Sequence, residues 1–141
     1  MPVLFDTSIY IQSLRVGGAS FLSGRWFQST PIWLSSVVLE ELYAGADAKG
    51  QRVIDKMARD FDRARRILVP NLTDWISAGR LLASVAQKYG YERIGRAKLT
   101  NDALIAASAS RAGIALVTAN RRDFALLSEF CPLEWRQEAI S

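Results

Sequence analysis

Four short apolar runs, each feeding a turn or capping residue and then helix-spaced sequence, constrain the fold of this chain more than any other feature. They are Pro2-Val3-Leu4-Phe5, Pro31-Ile32-Trp33-Leu34, Ile67-Leu68-Val69-Pro70 and Ile114-Ala115-Leu116-Val117-Thr118. Runs that stay apolar at consecutive positions read as strands buried on both faces, the pattern of a parallel sheet. Helical spacing fills the gaps over residues 9–14, 37–46, 51–66, 74–89 and 102–112, with a short helix over 124–128. Val53, Ile54, Met57, Phe61 and Ala64 form one apolar stripe; Trp75, Ala78, Leu81, Leu82 and Val85 form another. Ser35-Ser36 and Thr100 or Asn101 stand where N-caps belong, and Gly45 and Gly113 where helices stop. Gly17-Gly18 reads as a break, residues 90–98 as a basic loop, 120–123 as a turn and 131–135 as an edge strand. Strands alternating with helices predict one α/β domain over residues 1–141, a three-layer α/β/α sandwich on a mainly parallel sheet.

With 141 residues, half of them apolar, the chain can bury an ordinary core without staples. It has no histidine and one cysteine, Cys131. That removes the Ser-His-Asp and Cys-His nucleophiles, histidine acid/base pairs, His-containing zinc sites and any intramolecular disulfide. A reduced setting follows. No apolar run approaches the ~20 residues of a bilayer span, and Met1-Pro2-Val3-Leu4-Phe5-Asp6 lacks the basic start of a signal peptide, so a soluble cytoplasmic protein is expected.

The net charge of +4 is unevenly spread. Residues 51–98 carry eleven basic side chains against five acidic ones, a balance of +6 that leaves −2 for the rest. A basic middle can face a polyanion while an acidic remainder holds a cation; a solvated helical face is the plainer reading of such a charge run.

In an open parallel sheet, functional groups gather beyond the carboxyl ends of the strands. Asp6 directly follows the first apolar run, and Asn120 and Asp123 follow the fourth. At ~100° per residue, Val38 and Leu42 define the apolar face of the 37–46 helix; Glu41 borders that face and Glu40 points away. Asp102 shares a face with Ile105, Ala106 and Ala109 and is read as lying in the first turn of its helix, near the positive end of the dipole. Each acid alone has an ordinary explanation, as a helix-terminus, snorkelling or turn residue. Four carboxylates at one edge would repel one another unless a cation neutralised them. Without imidazole or a second thiol, an all-oxygen site suits Mg²⁺ or Mn²⁺ rather than zinc.

Four blocks, in order, resemble the motif blocks of PIN-domain ribonucleases, most closely the VapC toxins of toxin–antitoxin pairs. They are Leu4-Phe5-Asp6-Thr7-Ser8, then Ser35-Ser36-Val37-Val38-Leu39-Glu40-Glu41-Leu42-Tyr43-Ala44-Gly45, then Asn101-Asp102-Ala103-Leu104-Ile105-Ala106-Ala107-Ser108-Ala109, then Leu116-Val117-Thr118-Ala119-Asn120-Arg121-Arg122-Asp123-Phe124. The resemblance runs from residue 3 to about 130. It places the family's acidic quartet, catalytic and metal-holding, on Asp6, Glu41, Asp102 and Asp123, and its Glu-Leu-x-x-Gly pattern selects Glu41 over Glu40. Thr7, Ser8, Thr118 and Asn120 match polar positions that assist metal or water placement. The approach to Asp102, Lys98-Leu99-Thr100-Asn101, departs from the family in lacking the Pro often found there.

The resemblance implies Mg²⁺-dependent endonucleolytic cleavage of single-stranded RNA, with a 5′-phosphate and a 3′-hydroxyl as products and Asp102 or Asp123 as general base. It also implies a homodimer silenced by a small VapB-like antitoxin seated in a groove beside the active site, for which Trp26, Phe27, Trp33, Tyr43 and Phe61 are candidate lining residues. For RNA, Arg59, Arg63 and Arg66 are read as one helical cluster and Arg93, Arg96 and Lys98 as a second flanking the cleft. Tyr89 and Tyr91 are candidate base-stacking residues, and Arg121 and Arg122 candidate phosphate holders. The rival readings are a PIN-like module that binds nucleic acid or protein without cutting, and a housekeeping or DNA-directed PIN nuclease. A haloacid-dehalogenase-like phosphatase needs a second Asp where Ser8 stands, and a receiver domain needs an acidic pair and a late lysine that are not evident.

Overall fold

The computed structural model describes residues 1–16, 30–94 and 97–138. Five strands, β1 (Val3–Phe5), β2 (Ile32–Ser35), β3 (Ile67–Leu68), β4 (Ala115–Thr118) and β5 (Trp135–Gln137), form one sheet in the order β3-β2-β1-β4-β5. Every neighbouring pair is parallel; Leu4 lies opposite Trp33 on one side and Leu116 on the other. This is the three-layer α/β sandwich that the apolar runs predict. Val3, Leu4, Phe5, Leu34, Leu116 and Val117 are all buried because helices cover both faces of the strands that carry them.

The six helices are α1 (Thr7–Val16), α2 (Ser36–Ala44), α3 (Ala48–Arg63), α4 (Leu72–Tyr89), α5 (Ala97–Ala112) and α6 (Arg121–Leu127), with a 3₁₀ turn over Tyr91–Ile94, all counted among the described residues. Right-handed crossovers in this strand order put α1 to α3 on one face and α4 to α6 on the other. The packing agrees: α1 touches α2, α2 touches α3, and α4, α5 and α6 touch one another. Contact between α2 and α5 links the two layers.

Local chemistry sets the helix ends. Ser35 caps α2 by accepting from the Val37 N–H at 3.1 Å, and α2 stops at Gly45 as expected. The carboxylate of Asp47 accepts from the Gly50 N–H at 2.8 Å, so α3 begins at Ala48, three residues before the expected start at 51; it ends at Arg63 rather than residue 66. Asn71 and Asp74 form a reciprocal capping box, with both bonds 2.9 Å long, which starts α4 two residues early. Gly113, at φ +69°, ends α5 in a conformation that costs a side chain strain.

Several expectations are corrected. The predicted basic loop is instead a 3₁₀ turn followed by the start of α5, which begins at Ala97, so Thr100 and Asn101 are internal helix residues and not caps. Asp102 is consequently the sixth residue of its helix, and the first turn of α5 holds no acidic residue; the dipole argument for it fails. Asp123 moves the other way, out of a turn and into the first turn of α6. α1 takes in Thr7 and Ser8 rather than starting at residue 9. The edge strand lies at Trp135–Gln137, because the 131–134 segment is spent turning back from α6. Val53 and Trp75 are 51% and 58% exposed, so each apolar stripe is narrower than its sequence spacing suggests. The Gly17-Gly18 break lies outside the described residues.

Candidate functional site

Asp6 is the first residue past β1, where the chain order of the sheet reverses between β2 and β4 and a cleft opens at the strand ends. Its N–H donates to the Val117 carbonyl at 3.1 Å, which pins its backbone to β4. Both carboxylate oxygens are cradled. Oδ1 accepts from the Ser8 N–H at 3.1 Å and from Ser8 Oγ at 2.5 Å; Oδ2 accepts from Thr118 Oγ1 at 2.8 Å. Thr118, the last residue of β4, is itself fixed: its Oγ1 accepts from the Asn120 N–H at 2.9 Å, and the Ala119 N–H donates to Ser8 Oγ at 3.0 Å. Groups more than a hundred residues apart in sequence thus hold one carboxylate in one orientation.

Thr7, beside Asp6, donates its hydroxyl to Glu41 Oε1 at 2.6 Å and so ties the start of α1 to α2. Glu41 is half-buried and Glu40 exposed, in agreement with the helical-face reading. Asp102 and Asp123 are only 3% and 6% exposed, and Asp6 4%. Their helices reach this region together: α5 touches α2, β4 and α6. Asn120 caps α6, its side chain accepting from the Arg122 N–H at 3.3 Å, which places Asp123 in the turn that follows β4.

Asp6, Asp102 and Asp123 are buried and Glu41 half-buried; as oxygen ligands, such side chains would suit a hard divalent cation and not zinc. Among the described residues, no three Asp, Glu, His or Cys side chains stand close enough to enclose a metal ion between them. A magnesium-type ion keeps several waters and takes only one or two carboxylates directly, so it would not need three acids enclosing it.

The basic residues divide. Arg121 and Arg122 are exposed at the start of α6, beside this edge. Arg59 and Arg63 are exposed on α3, but Arg66 lies past the end of that helix and shares a cavity with Thr30 and Ile32, at the opposite end of β2 from Ser35. The three do not form one helical cluster at the acidic edge. Arg93 stacks its guanidinium over the Tyr89 ring at 5.8 Å. Tyr89 in turn donates to Glu129, which also pairs with Lys88 at 2.7 Å. Those bonds lower the Glu129 pKa and raise that of Lys88. Tyr91 is 75% exposed. Arg96 and the side chain of Lys98 lie outside the described residues. One charged group that sequence reasoning missed is Asp74: 1% exposed, it accepts from Arg111 Nε at 2.8 and 2.9 Å. The Asn71-x-x-Asp74 spacing of a capping box is the signal that could have marked it as structural.

The sequence matches the PIN domain family over residues 3–129. No curated protein sequence matches it. Among solved structures it is similar to DNA-bound VapBC from Salmonella typhimurium, at 21% identity and a TM-score of 0.69 over 97% of this chain and 98% of that one. It is likewise similar to VapBC2 from Rickettsia felis bound to a promoter DNA fragment, at 24% identity and 0.70 over 99% and 100%. FitAcB from Neisseria gonorrhoeae is 20% identical at 0.65 over 96% of each chain. At these identities the likeness is one of fold, and it extends over nearly the whole of both chains.

Proposed function

The chain belongs to the PIN domain family, and from that premise we propose that it is a divalent-metal-dependent endoribonuclease of the VapC type, the toxin of a toxin–antitoxin pair. The observation that carries this reading is the cradled Asp6 carboxylate at the strand-order reversal, with two further carboxylates buried on the helices that meet there. Burying three carboxylates is costly unless a cation shares the site. Asp6 and Asp102 would hold Mg²⁺, or Mn²⁺ in its place, with Glu41 and Asp123 acting directly or through water. A bound Mg²⁺ supplies charge neutralisation at the phosphate and acidifies water.

The chain's own residues do the rest. Ser8 and Thr118 orient Asp6 by donating to both of its oxygens, and Thr7 orients Glu41 by donating to its Oε1. Asp102 or Asp123 takes the proton of the attacking water as general base. That water's oxygen bonds to phosphorus in line, the bond from phosphorus to the 3′ oxygen breaks, the leaving alkoxide takes a proton from solvent, and the products are a 5′-phosphate and a 3′-hydroxyl. Arg121 and Arg122, at the rim, offset phosphate charge. Single-stranded RNA cut with Mg²⁺ should be left intact in EDTA, with activity restored by excess Mg²⁺; labelling of the new 5′ ends by a kinase only after phosphatase treatment checks the products. Cleavage that persists in EDTA overturns the metal reading.

A VapB-like antitoxin is the proposed protein partner. A cavity of about 670 Å³, walled by Ile11, Leu42, Ala46, Val53 and Ile54, opens at Glu41 and suits an apolar segment reaching the site. The earlier candidates for that groove fare otherwise. Phe61 is buried in the core, Trp33 packs against it, and Tyr43 donates to Asp55 at 2.6 Å, a bond that raises the Tyr43 pKa. Trp26 and Phe27 lie outside the described residues.

A homodimer is proposed as well. Val69, just before α4, and Leu72, Trp75 and Ile76 in its first turns are 61%, 75%, 58% and 49% exposed, large apolar side chains of the kind that a partner copy could cover. Trp75→Glu is expected to convert a dimer to a monomer in light scattering at micromolar protein; an unchanged mass sinks this assignment. Among the described residues no helix is long and apolar enough to cross a membrane, in keeping with a cytoplasmic site of action.

A further inference from the structure

We propose that the cavity between α4, α5 and the turn before β5 binds a phosphate group. It encloses about 320 Å³, and the proposed nuclease chemistry makes no use of it. Two arginines line it, Arg80 from α4 and Arg111 from α5, together with Thr73, Ser77, Phe130 and Ser110, whose hydroxyl donates to the Pro132 carbonyl at 3.1 Å.

The state of Arg111 is what points to an anion. Asp74 grips its guanidinium by Nε, at 2.8 and 2.9 Å, and Asp74 is itself buried and held by the Asn71 N–H. That contact fixes the plane of the guanidinium while consuming one of its five donors. Among the described residues no acceptor engages its two Nη groups. A rigid fork with spare parallel donors matches the oxygens of a phosphate.

The charge balance agrees. Asp74 is the acidic residue of the lining, and both its oxygens are committed to Arg111 and Asn71. Arg80 therefore leaves the cavity with a net positive charge and no competing free carboxylate in its wall. The volume exceeds that of a bare ion, and the apolar part of the wall, Leu81 and Ala107 with Phe130, leaves room for the sugar or ring that carries the phosphate. Either a polynucleotide or a free phosphate compound would present the same group.

The test uses the full chain carrying Asp6→Asn, so that a polynucleotide survives the measurement. Inorganic phosphate and, separately, a short single-stranded oligodeoxynucleotide are titrated while the backbone amide signals of Ser77 and Ser110 are followed by NMR. Saturable shifts of both signals are expected, weakened about tenfold or more by Arg80→Glu, which removes a charge-assisted donor from an exposed side chain and leaves the fold alone. Arg111→Lys keeps a cation beside Asp74 but loses the planar fork, and should weaken binding with the melting temperature little changed. Shifts with both ligands assign the site to the nucleic-acid backbone; shifts with inorganic phosphate alone assign it to a free phosphate. No shift at Ser77 and Ser110, or equal binding by the Arg80→Glu protein, overturns the proposal. This outcome does not depend on whether the protein is a nuclease, because the cavity shares no residue with the carboxylate site.

Discussion

Asp6→Asn is expected to lower RNA cleavage by about 10²- to 10³-fold, the scale on which a single preorganised electrostatic group contributes to turnover, while leaving the fold standing. The hydrogen bonds explain why the two effects separate. The amide oxygen of Asn can still accept from Ser8 Oγ and the Ser8 N–H, where Oδ1 now does. The amide nitrogen would face Thr118 Oγ1 and reverse that bond by donating to it. Thr118 can then turn its proton to the Asn120 carbonyl, already 3.1 Å away. Each donor keeps a partner, so the stability cost stays near ~1 kcal/mol, but the negative charge is gone. Single-turnover cleavage of a labelled RNA, alongside thermal melting, checks both halves. An Asn variant that cuts at the wild-type rate would remove Asp6 from the chemistry.

Arg111→Met is expected to be the most damaging single change outside the site. It strands Asp74, 1% exposed, as a buried charge with its guanidinium partner removed. Breaking such a pair costs about 3 kcal/mol, toward the lower end of the usual range because Arg111 itself is 38% exposed and partly screened. For a domain of this size that corresponds to a melting temperature lower by roughly 10 °C. Asp74→Ala should cost less, since the abandoned arginine can turn to water, and what is lost is mainly the cap on α4. If the two variants melt together, the burial asymmetry is not what governs this pair.

The buried Asp74 also shows where sequence reading stops. Its position three residues after Asn71 is the spacing of a capping box, which the helix expected over 74–89 did not use. Nothing in the spacing says that a side chain 37 residues later will cover it. The same holds for Asp102. Its face was legible from Ile105, Ala106 and Ala109, all buried, but its place along the helix was not, because Ala97 and Leu99 extend α5 backwards through residues that look like a basic loop. Polar residues such as Thr100 and Asn101 cap some helices and sit inside others, and packing of the preceding turn decides which. The basic residues were the least legible. Arg59, Arg63 and Arg66 are spaced as a helical face, yet α3 ends between the second and third of them.

By itself the sequence determined the first four strands, their parallel sense, and that Glu41 borders the core while Glu40 faces solvent. These follow from unbroken apolar runs, from a helical period and from residue types, all of which are local properties. Only the tertiary structure decided that Asp6 is held by Ser8 and Thr118 together, that Thr7 reaches Glu41, and that Arg111 closes over Asp74. Ser8 on Asp6 apart, those contacts join residues 34 to 112 positions apart, and such pairings come from how the crossovers stack helices on the sheet, which no window along the chain contains.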